Sequence, residues 1–394
     1  MRKEKVFTIF VVTLFVLGIT HVYGEDVRGV SKDTIKVGLI ADMTGPVTAV
    51  TVPMSNGIKN YLRYLNEQGG IHGRKIRLIH EDDRYSVPLT LAAFKKLVFR
   101  DGILTCIMVT GTANISALMP HYEKQKLPII SVSSAEIIVK PVKRYVFTVQ
   151  DTYQNRVKTV IDYILKDLKA KNPVLACANL DNESGRTISR AIQETVKPLG
   201  IKFHEEYISP AAIDATSQVM NSRRAKANYV ILGGSDGTAI CFLRDAYKIG
   251  YKPQFIGTLF SNSEAIIEIA GRAADGYICD NPFALWGDAA KGVQEMMRIT
   301  EGYLPGKRQT VDYTVGWVKS MILAEGIKRG GEGLNSESLV EGIETIRGFD
   351  TEGLTGPLTY GSDDHKGGNY TRFLKAYLKN KTFIPITEWR RSSD

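Results

Sequence analysis

Short apolar runs alternate with segments in which apolar residues recur every three or four positions through the first two thirds of the chain. The run from Ile35 to Ile40 has the length of a buried strand, whereas Ile58, Leu62 and Leu65 fall on one face of a helix. Strands that alternate with helices are typical of a parallel sheet covered by helices on both faces. The pattern therefore predicts an α/β fold.

The alternation restarts after the segment 144–155, which predicts two α/β units. The elements predicted before the restart are strand 35–40, a helix from Asn56 to Gly69, strand 75–83, helix 88–100, strand 103–109, helix 113–125 and strand 127–132. Those predicted after it are helix 153–170, strand 173–178, helix 185–198, strand 201–208, helix 214–226, strand 229–234, helix 237–249, strand 253–258 and helix 262–270. Three helices at 288–302, 311–329 and 336–346, and a turn-rich tail with one late strand near 370–378, complete the chain.

The N-terminus predicts export. A basic segment, Met1–Lys5, precedes the uncharged stretch Val6–Thr20, and small residues lead to Gly24. This order is typical of a secretory signal peptide, here residues 1–24, cleaved near Gly24. An uncleaved membrane anchor is the alternative, but a span needs roughly 20 apolar residues. We therefore expect a periplasmic or secreted protein.

Charge and cysteine content exclude several kinds of site. The net charge of +9 comes from dispersed Lys and Arg, whereas a nucleic-acid surface is clustered and interleaved with aromatics. The cysteines lie among apolar residues, and their spacing does not match that of metal ligands, which favours buried free thiols. An oxidising compartment also permits disulfides. They are Cys106, Cys177, Cys241 and Cys279. We expect no cofactor, no metal and no nucleic-acid partner.

The turn Thr110-Gly111-Thr112 stands between an apolar strand and a helix. It lacks the Gly-x-Ser-x-Gly of a nucleophile elbow, the Lys of a phosphate loop and the three glycines of a dinucleotide site. The turn does have a glycine, which lets a ligand come close to the backbone, the free N–H groups at the start of a helix, and two hydroxyl groups. Together these features favour the binding of a carboxylate. An ordinary capped turn is the alternative.

The next strand ends in a similar way. Ser131, Ser133 and Ser134 follow it, and ligands of open parallel sheets gather at the carboxyl ends of the strands. Each of these serines is alternatively a helix cap. Two adjacent turns that carry hydroxyls nevertheless predict a seat for a small carboxylate, bound by Thr110, Thr112, Ser133 and Ser134.

These two turns and their surroundings resemble a known family. The segments "IKVGLIADMTGP", "YLNEQGGIHGRKIRLIHEDD", "LPIISVSSAE", "YVILGG" and "PQFIGT" occur in the order found in type I periplasmic solute-binding proteins of ABC transporters, the leucine/isoleucine/valine-binding protein family. The stretch "NEQGGIHGRKI" is the most specific of them. The resemblance covers almost the whole chain after the signal peptide.

The resemblance implies two doubly wound parallel-sheet lobes joined by three hinge strands, with the ligand in the cleft between them. The implied lobes are residues 28–149 with 283–357, and residues 150–282 with 358–394. It also implies a monomeric receptor that delivers its ligand to ABC permease subunits, with no catalytic residue. The ligand-binding positions that it implies are Thr110, Gly111, Thr112, Ser133, Ser134 and Ala135 in the first lobe, and Tyr153, Ser184, Ser235, Asp236, Leu259 and Phe260 in the second.

One position departs from the family pattern. Amino-acid binders of this family carry an acid after the "FIG" strand to pair with the ligand ammonium, and Leu259 stands there instead. A buried ammonium without a partner is costly. Either Asp236 replaces the missing acid, or it is a helix cap and the ligand has no ammonium. We expect a branched-chain or related amino acid as the ligand, with an aromatic or aliphatic carboxylate as the alternative. Tyr85, Tyr153 and Phe260 are candidates for an apolar wall.

Two other functions compete with transport. A sensor module would use the same cleft with a different output partner. An extracellular α/β enzyme is the other rival, and the missing nucleophile elbow counts against it.

Overall fold

The computed structural model describes residues 27–393. The predicted signal peptide, residues 1–24, lies outside the described residues. No helix within 27–393 combines the length and the apolar character that crossing a bilayer requires.

The first unit is built on a parallel sheet of five strands in the order β2-β1-β3-β4-β5. Its strands are β1 (Thr34–Ala41), β2 (Lys75–Asp82), β3 (Thr105–Val109), β4 (Ile129–Ile130) and β5 (Val146–Phe147). Its connecting helices are α1 (Thr48–Glu67), α2 (Val87–Lys95), α3 (Thr112–Gln125) and α4 (Glu136–Val139).

The second unit repeats the alternation. Its parallel strands are β6 (Val174–Leu180), β7 (Lys202–Ile208), β8 (Tyr229–Leu232), β9 (Gln254–Gly257) and β10 (Ile278–Asn281). Its helices are α5 (Tyr153–Asp162), α6 (Glu183–Val196), α7 (Thr216–Arg224), α8 (Asp236–Lys248) and α9 (Ala265–Ala270). The predicted pair of α/β units is confirmed.

The chain then returns to the first unit and leaves it again. The returning helices are α10 (Lys291–Glu301), α11 (Val311–Gly330) and α12 (Ser336–Glu344), of which α11 packs along α1. A hairpin of β11 (Thr359–Gly361) and β12 (Asp364–Gly367) follows, and then β13 (Tyr370–Tyr377), β14 (Thr382–Pro385) and β15 (Arg390–Arg391). Because β13 pairs antiparallel with β10, the tail extends the second sheet to eight strands, and the chain passes between the units three times.

Several parts of the secondary structure differ from the sequence prediction; strands β5 and β10 and the short helix α4 were not predicted. The tail holds five strands rather than one, because they carry mixed polar residues and pair with one another and, through β13, with β10. Helix α1 begins at Thr48 rather than at Asn56, even though Pro53 and β-branched residues weaken its first turns. Buried Val50 and Met54 hold that first part against the core. The four cysteines are free thiols; Cys241 is partly buried and the other three are buried.

Two glycines allow α1 and α11 to touch. A Cβ placed on Gly316 would lie 2.0 Å from the carbonyl oxygen of Met54, and one on Gly57 would lie 2.2 Å from that of Tyr313. Any larger side chain at either position would push the helices apart. This contact sets where the N-terminus of α11 lies relative to the rest of the first unit.

We expect Gly316→Ala to destabilise the protein by about 1–3 kcal/mol or more, because the added methyl group overpacks the helix contact. The midpoint of urea unfolding should fall accordingly. Gly333→Ala is the matched control, since a Cβ there would meet open space. Equal midpoints for the two variants would contradict the helix contact described here.

Candidate functional site

A cleft lies between the two units, where strands of both sheets end in loops. It contains about 440 Å³ of space not occupied by protein atoms. Its lining residues are Val47, Val50, Thr51, Tyr85, Thr110, Gly111, Thr112, Val132, Ser133, Tyr153, Leu180, Ser184, Gly234, Ser235 and Phe260. Nine of the predicted binding residues are therefore in the wall, and Ser134, Ala135, Asp236 and Leu259 lie behind it.

The first unit contributes the start of α3. Gly111 has a φ of 93°, a left-handed conformation that favours glycine, and it precedes the first helical residue. The first N–H groups of a helix have no partner within it. The hydroxyl of Thr110 is buried and has no hydrogen-bond partner among the described residues. This corner of the cleft therefore offers several unused donors.

Three hydroxyl groups meet beside that corner. Thr112 Oγ1 lies 2.9 Å from Ser133 Oγ, and the hydroxyl of Tyr153 donates to Ser133 Oγ at 3.0 Å. Tyr153 begins α5, so the cluster joins the two units. Burial raises the pKa of Tyr153, which keeps its hydroxyl protonated and able to donate. Because Ser133 Oγ accepts from Tyr153, the hydroxyls of Ser133 and Thr112 keep protons that the cluster can offer to an anion.

Two predicted site residues support the cluster without lining the cleft. Ser134 Oγ donates to the carbonyl oxygen of Asp151 at 2.7 Å. The N–H of Ala135 donates to Ser133 Oγ at 3.3 Å. These bonds hold the turn after β4 in place, which is a structural role beside the seat.

A buried lysine lies under the same turn. Lys319 of α11 is 1% exposed, and its Nζ donates to the carbonyl oxygens of Ile130, at 3.3 Å, and of Ser131. Burial lowers its pKa to about 7, and within residues 27–393 it forms no ion pair with a carboxylate. Sequence reasoning missed this residue, although a lysine among Trp317, Val318 and Ile322 is an unusual pattern. When charged, Lys319 adds a positive potential beneath the seat.

A hydrogen bond closes the mouth of the cleft. Asn182 Nδ2 donates to the hydroxyl of Tyr85 at 3.0 Å, which links the second unit to the first. Asn182 also caps α6, because its Oδ1 accepts from the N–H of Gly185 at 3.0 Å. Sequence reasoning missed the role of Asn182, because residues 182–184 read only as the Asn-Glu-Ser pattern of a glycosylation site. The structure is thus a closed arrangement of the two units.

Asp236 does not face the cleft. Its carboxylate accepts from Ser263 Oγ at 2.5 Å and from the Ser263 N–H at 3.4 Å. The cap of α8 is Ser235, which accepts from the Thr238 N–H at 3.3 Å, so the cap interpretation of Asp236 is wrong by one residue. Leu259 has a φ of 59° and is buried, and the next residue, Phe260, meets Tyr153 edge-on at 6.0 Å. No charged side chain is present in the lining of this cleft as described.

Three carboxyl groups from both units are buried behind that wall. They belong to Asp236, Glu264 and Asp312. Glu264 Oε2 accepts from the N–H of Val311 at 3.1 Å, which is a bond between the units. Burial raises the pKa of Asp236 to about 6 and that of Glu264 to about 7, and it raises the pKa of Asp312 well above its usual value. The described residues hold no group of His, Cys, Asp and Glu suited to a metal ion.

We expect the stability of the protein to fall as pH rises from about 4 to about 7. A buried acid with a raised pKa holds a proton that the unfolded chain releases near pH 4, so its contribution is complete below that pH and is lost as pH passes the native pKa. Asp312, whose pKa burial raises well above its usual value, and Glu264, with its pKa of about 7, should contribute most to the change. Urea unfolding between pH 4 and pH 8 measures it.

Glu264→Gln should flatten this pH dependence and make the protein more stable than the unmodified chain at pH 8. The exposed Glu268 gives the matched control, Glu268→Gln. Parallel pH curves for Glu264→Gln and the unmodified chain would refute the assignment.

Comparison with known proteins identifies related chains. A family model described as "Periplasmic binding protein" matches residues 34–380. The leucine-specific-binding protein of Salmonella typhimurium is 24% identical over 65% of this chain and 69% of its own. A branched-chain amino acid ABC transporter protein from Thermus thermophilus with bound valine aligns with a TM-score of 0.85 at 22% identity, over 92% of this chain and 98% of that one. A fatty acid ABC transporter substrate-binding protein from Thermomonospora curvata also aligns with a TM-score of 0.85. Its sequence identity is 19%, and the alignment covers 93% of this chain and 94% of that one.

Proposed function

We propose that this chain, which belongs to the periplasmic binding protein family, is the solute-binding receptor of an ABC importer and takes a small carboxylate with an apolar body. Binding, rather than catalysis, is the proposed activity. The ligand docks on the first unit, and its contacts with the second stabilise the closed form, which the permease then recognises. Export after cleavage near Gly24 and a monomeric state are parts of the same proposal.

The observation that carries the proposal is the set of donors at one end of the cleft. Thr110 has a buried hydroxyl without a partner, the hydroxyls of Thr112 and Ser133 lie beside it, and Lys319 lies beneath the turn. Donors at a helix start together with a nearby cation favour an anion, and a flat carboxylate can accept from several donors at once. The rest of the wall includes Val50, Val132 and Phe260, which suits an apolar body.

The described wall favours a ligand without an α-ammonium. No acid lines the cleft, and the carboxylate of Asp236 is already engaged by Ser263. An aliphatic or aromatic carboxylate would leave no buried charge unpaired, whereas an amino acid would require Asp236 to turn away from Ser263. The fatty-acid protein among the structural relatives is compatible with this reading.

A branched-chain amino acid is the second candidate. The curated relative is named a leucine-specific-binding protein, and the Thermus thermophilus structure contains valine. A thermal-shift screen of amino acids, aliphatic acids, aromatic acids and amides would identify the ligand class. Stabilisation by none of these compounds would contradict the proposed receptor function.

We expect Thr112→Ala combined with Ser133→Ala to weaken binding of the compound found in that screen by roughly 2–4 kcal/mol, because two hydrogen bonds to a charged group are lost. Isothermal calorimetry measures the change. Ser217→Ala, which removes an exposed hydroxyl, is the control and should bind normally. A folded double variant with unchanged affinity would show that the seat lies elsewhere.

Asp236→Asn and Phe260→Ala should separate the two ligand classes. For an amino acid, Asp236→Asn should cost several kcal/mol, since it removes the carboxylate that would pair with the ammonium and leaves that charge buried without its partner. For a carboxylate without an ammonium, that change should matter little, and Phe260→Ala should weaken binding through lost apolar contact. Calorimetry on both variants, with the exposed Asp214→Asn as control, decides between them. If neither variant changes affinity, the assignment of the second-unit residues is wrong.

A further inference from the structure

A second cavity lies directly behind the cleft. Val132 and Phe260 line both spaces, so the wall between them is one layer of side chains. We call the second space the rear chamber. It is small: of the about 340 Å³ not occupied by protein atoms, only about 20 Å³ admits the centre of a water-sized group, and both units contribute to it. Its lining residues are Met54, Val132, Gln150, Leu259, Phe260, Asn262, Asn281, Pro282, Phe283, Val311, Asp312 and Val315.

The rear chamber contains an amide with unused donors. Asn281 is 0% exposed, and its Oδ1 accepts from the N–H of Phe283 at 3.0 Å. Its Nδ2 has no hydrogen-bond partner within the described part of the chain. An unpaired buried donor lowers the stability of the folded chain, so the fold gains nothing from leaving it free.

An acceptor lies in the same chamber with little to satisfy it. Asp312 is 6% exposed, and Thr310 Oγ1 reaches one of its carboxylate oxygens only at a long 3.4 Å. The other two amides in the chamber are occupied: Gln150 Nε2 donates to the Val132 carbonyl at 3.3 Å, and Asn262 Nδ2 donates to the Asp280 carbonyl at 3.2 Å. The unused pair is therefore the donor of Asn281 and the acceptor of Asp312.

The chemistry of a matching group follows from this pair. A hydroxyl or a primary carboxamide both donates and accepts, so it matches the donor of Asn281 and the acceptor of Asp312, which line the same chamber. An alkyl end would leave both unpaired, and a second carboxylate would be a buried charge without a partner, since no basic side chain is among the described lining residues. An ammonium would satisfy Asp312 but has no acceptor for Asn281.

Access to the chamber depends on Phe260. Its side chain is only partly buried, and its ring contacts Tyr153 edge-on, with centroids 6.0 Å apart. A change of its χ angles would join the two cavities, which makes Phe260 the boundary between a carboxylate head and a distal group. We infer that the rear chamber is a second ligand subsite, which takes the distal hydroxyl or carboxamide of a carboxylate whose head occupies the cleft. This inference rests on the proposed function.

The test compares linear carboxylates of equal length, from butanoate to octanoate, with their ω-hydroxy, ω-carboxamide and ω-amino counterparts. Calorimetry on the full chain measures each affinity. At one chain length, the hydroxy and carboxamide acids should bind about tenfold tighter than the unsubstituted acid, since two buried groups gain partners. The ω-amino acid should gain less than these.

Asn281→Leu should reduce this preference to about one, because the variant has no donor in the chamber. The exposed Asn369→Leu is the control and should keep the preference. If Asn281→Leu does not fold, Phe260→Trp should abolish the preference instead, by enlarging the boundary side chain.

The outcomes separate the inference from the proposed function. If unsubstituted and hydroxy acids bind equally at every length, the subsite is overturned while the carboxylate receptor stands. If only the ω-amino acids gain affinity, the chamber binds cations and the donor–acceptor assignment is overturned. If no acid of any series binds, and the amino acids of the earlier screen do not bind either, the proposed function itself fails.

Discussion

The site depends on the hydrogen bond between Tyr153 of the second unit and Ser133 of the first, at 3.0 Å. Because this bond belongs to the proposed carboxylate seat, closing the two units and completing that seat would be one event. The bond between Asn182 and Tyr85 closes the mouth of the same cleft, at 3.0 Å. A ligand that touches the cluster from both sides therefore interacts differently with the open and closed forms, which is the condition for shifting the population between them.

Ionisable groups of different kinds lie near the two ends of the cleft. Lys319 and the start of α3 make one end positive, whereas Asp236, Glu264 and Asp312 lie behind Phe260. The acids come from both units and are buried together, so closure favours their protonated forms. Charge interactions in such a dry region are stronger than in water. The layout orients an anionic head toward the seat, and it makes the rear chamber unsuitable for a second anion.

Two polar groups without partners among the described residues lie at the cleft and at the rear chamber. The hydroxyl of Thr110 and the amide nitrogen of Asn281 are buried and unpaired within residues 27–393. Each such group reduces the free energy of unfolding relative to a fully paired site. Departures from complete pairing are expected where a protein binds something, since the partner supplies the missing bond. Close packing elsewhere, such as the contact of α1 and α11 through Gly57 and Gly316, offsets the cost of these unpaired groups.

The sequence by itself determined most of the order of strands and helices in both units and the positions of the turns at Thr110–Thr112 and Ser133, because hydrophobic period and turn chemistry are local properties. Tertiary structure decided the rest. The carboxylate of Asp236 is held away from the cleft by its hydrogen bond to Ser263, which is 27 residues away in the sequence. Lys319 donates a hydrogen bond to Ser131, which is 188 residues away. The tail strands likewise formed only by pairing with β10 and with one another. The period of hydrophobic residues carries no information about such distant contacts. The packed fold therefore decides where the Asp236 carboxylate points, and it brings Asn182 to Tyr85 and forms the rear chamber.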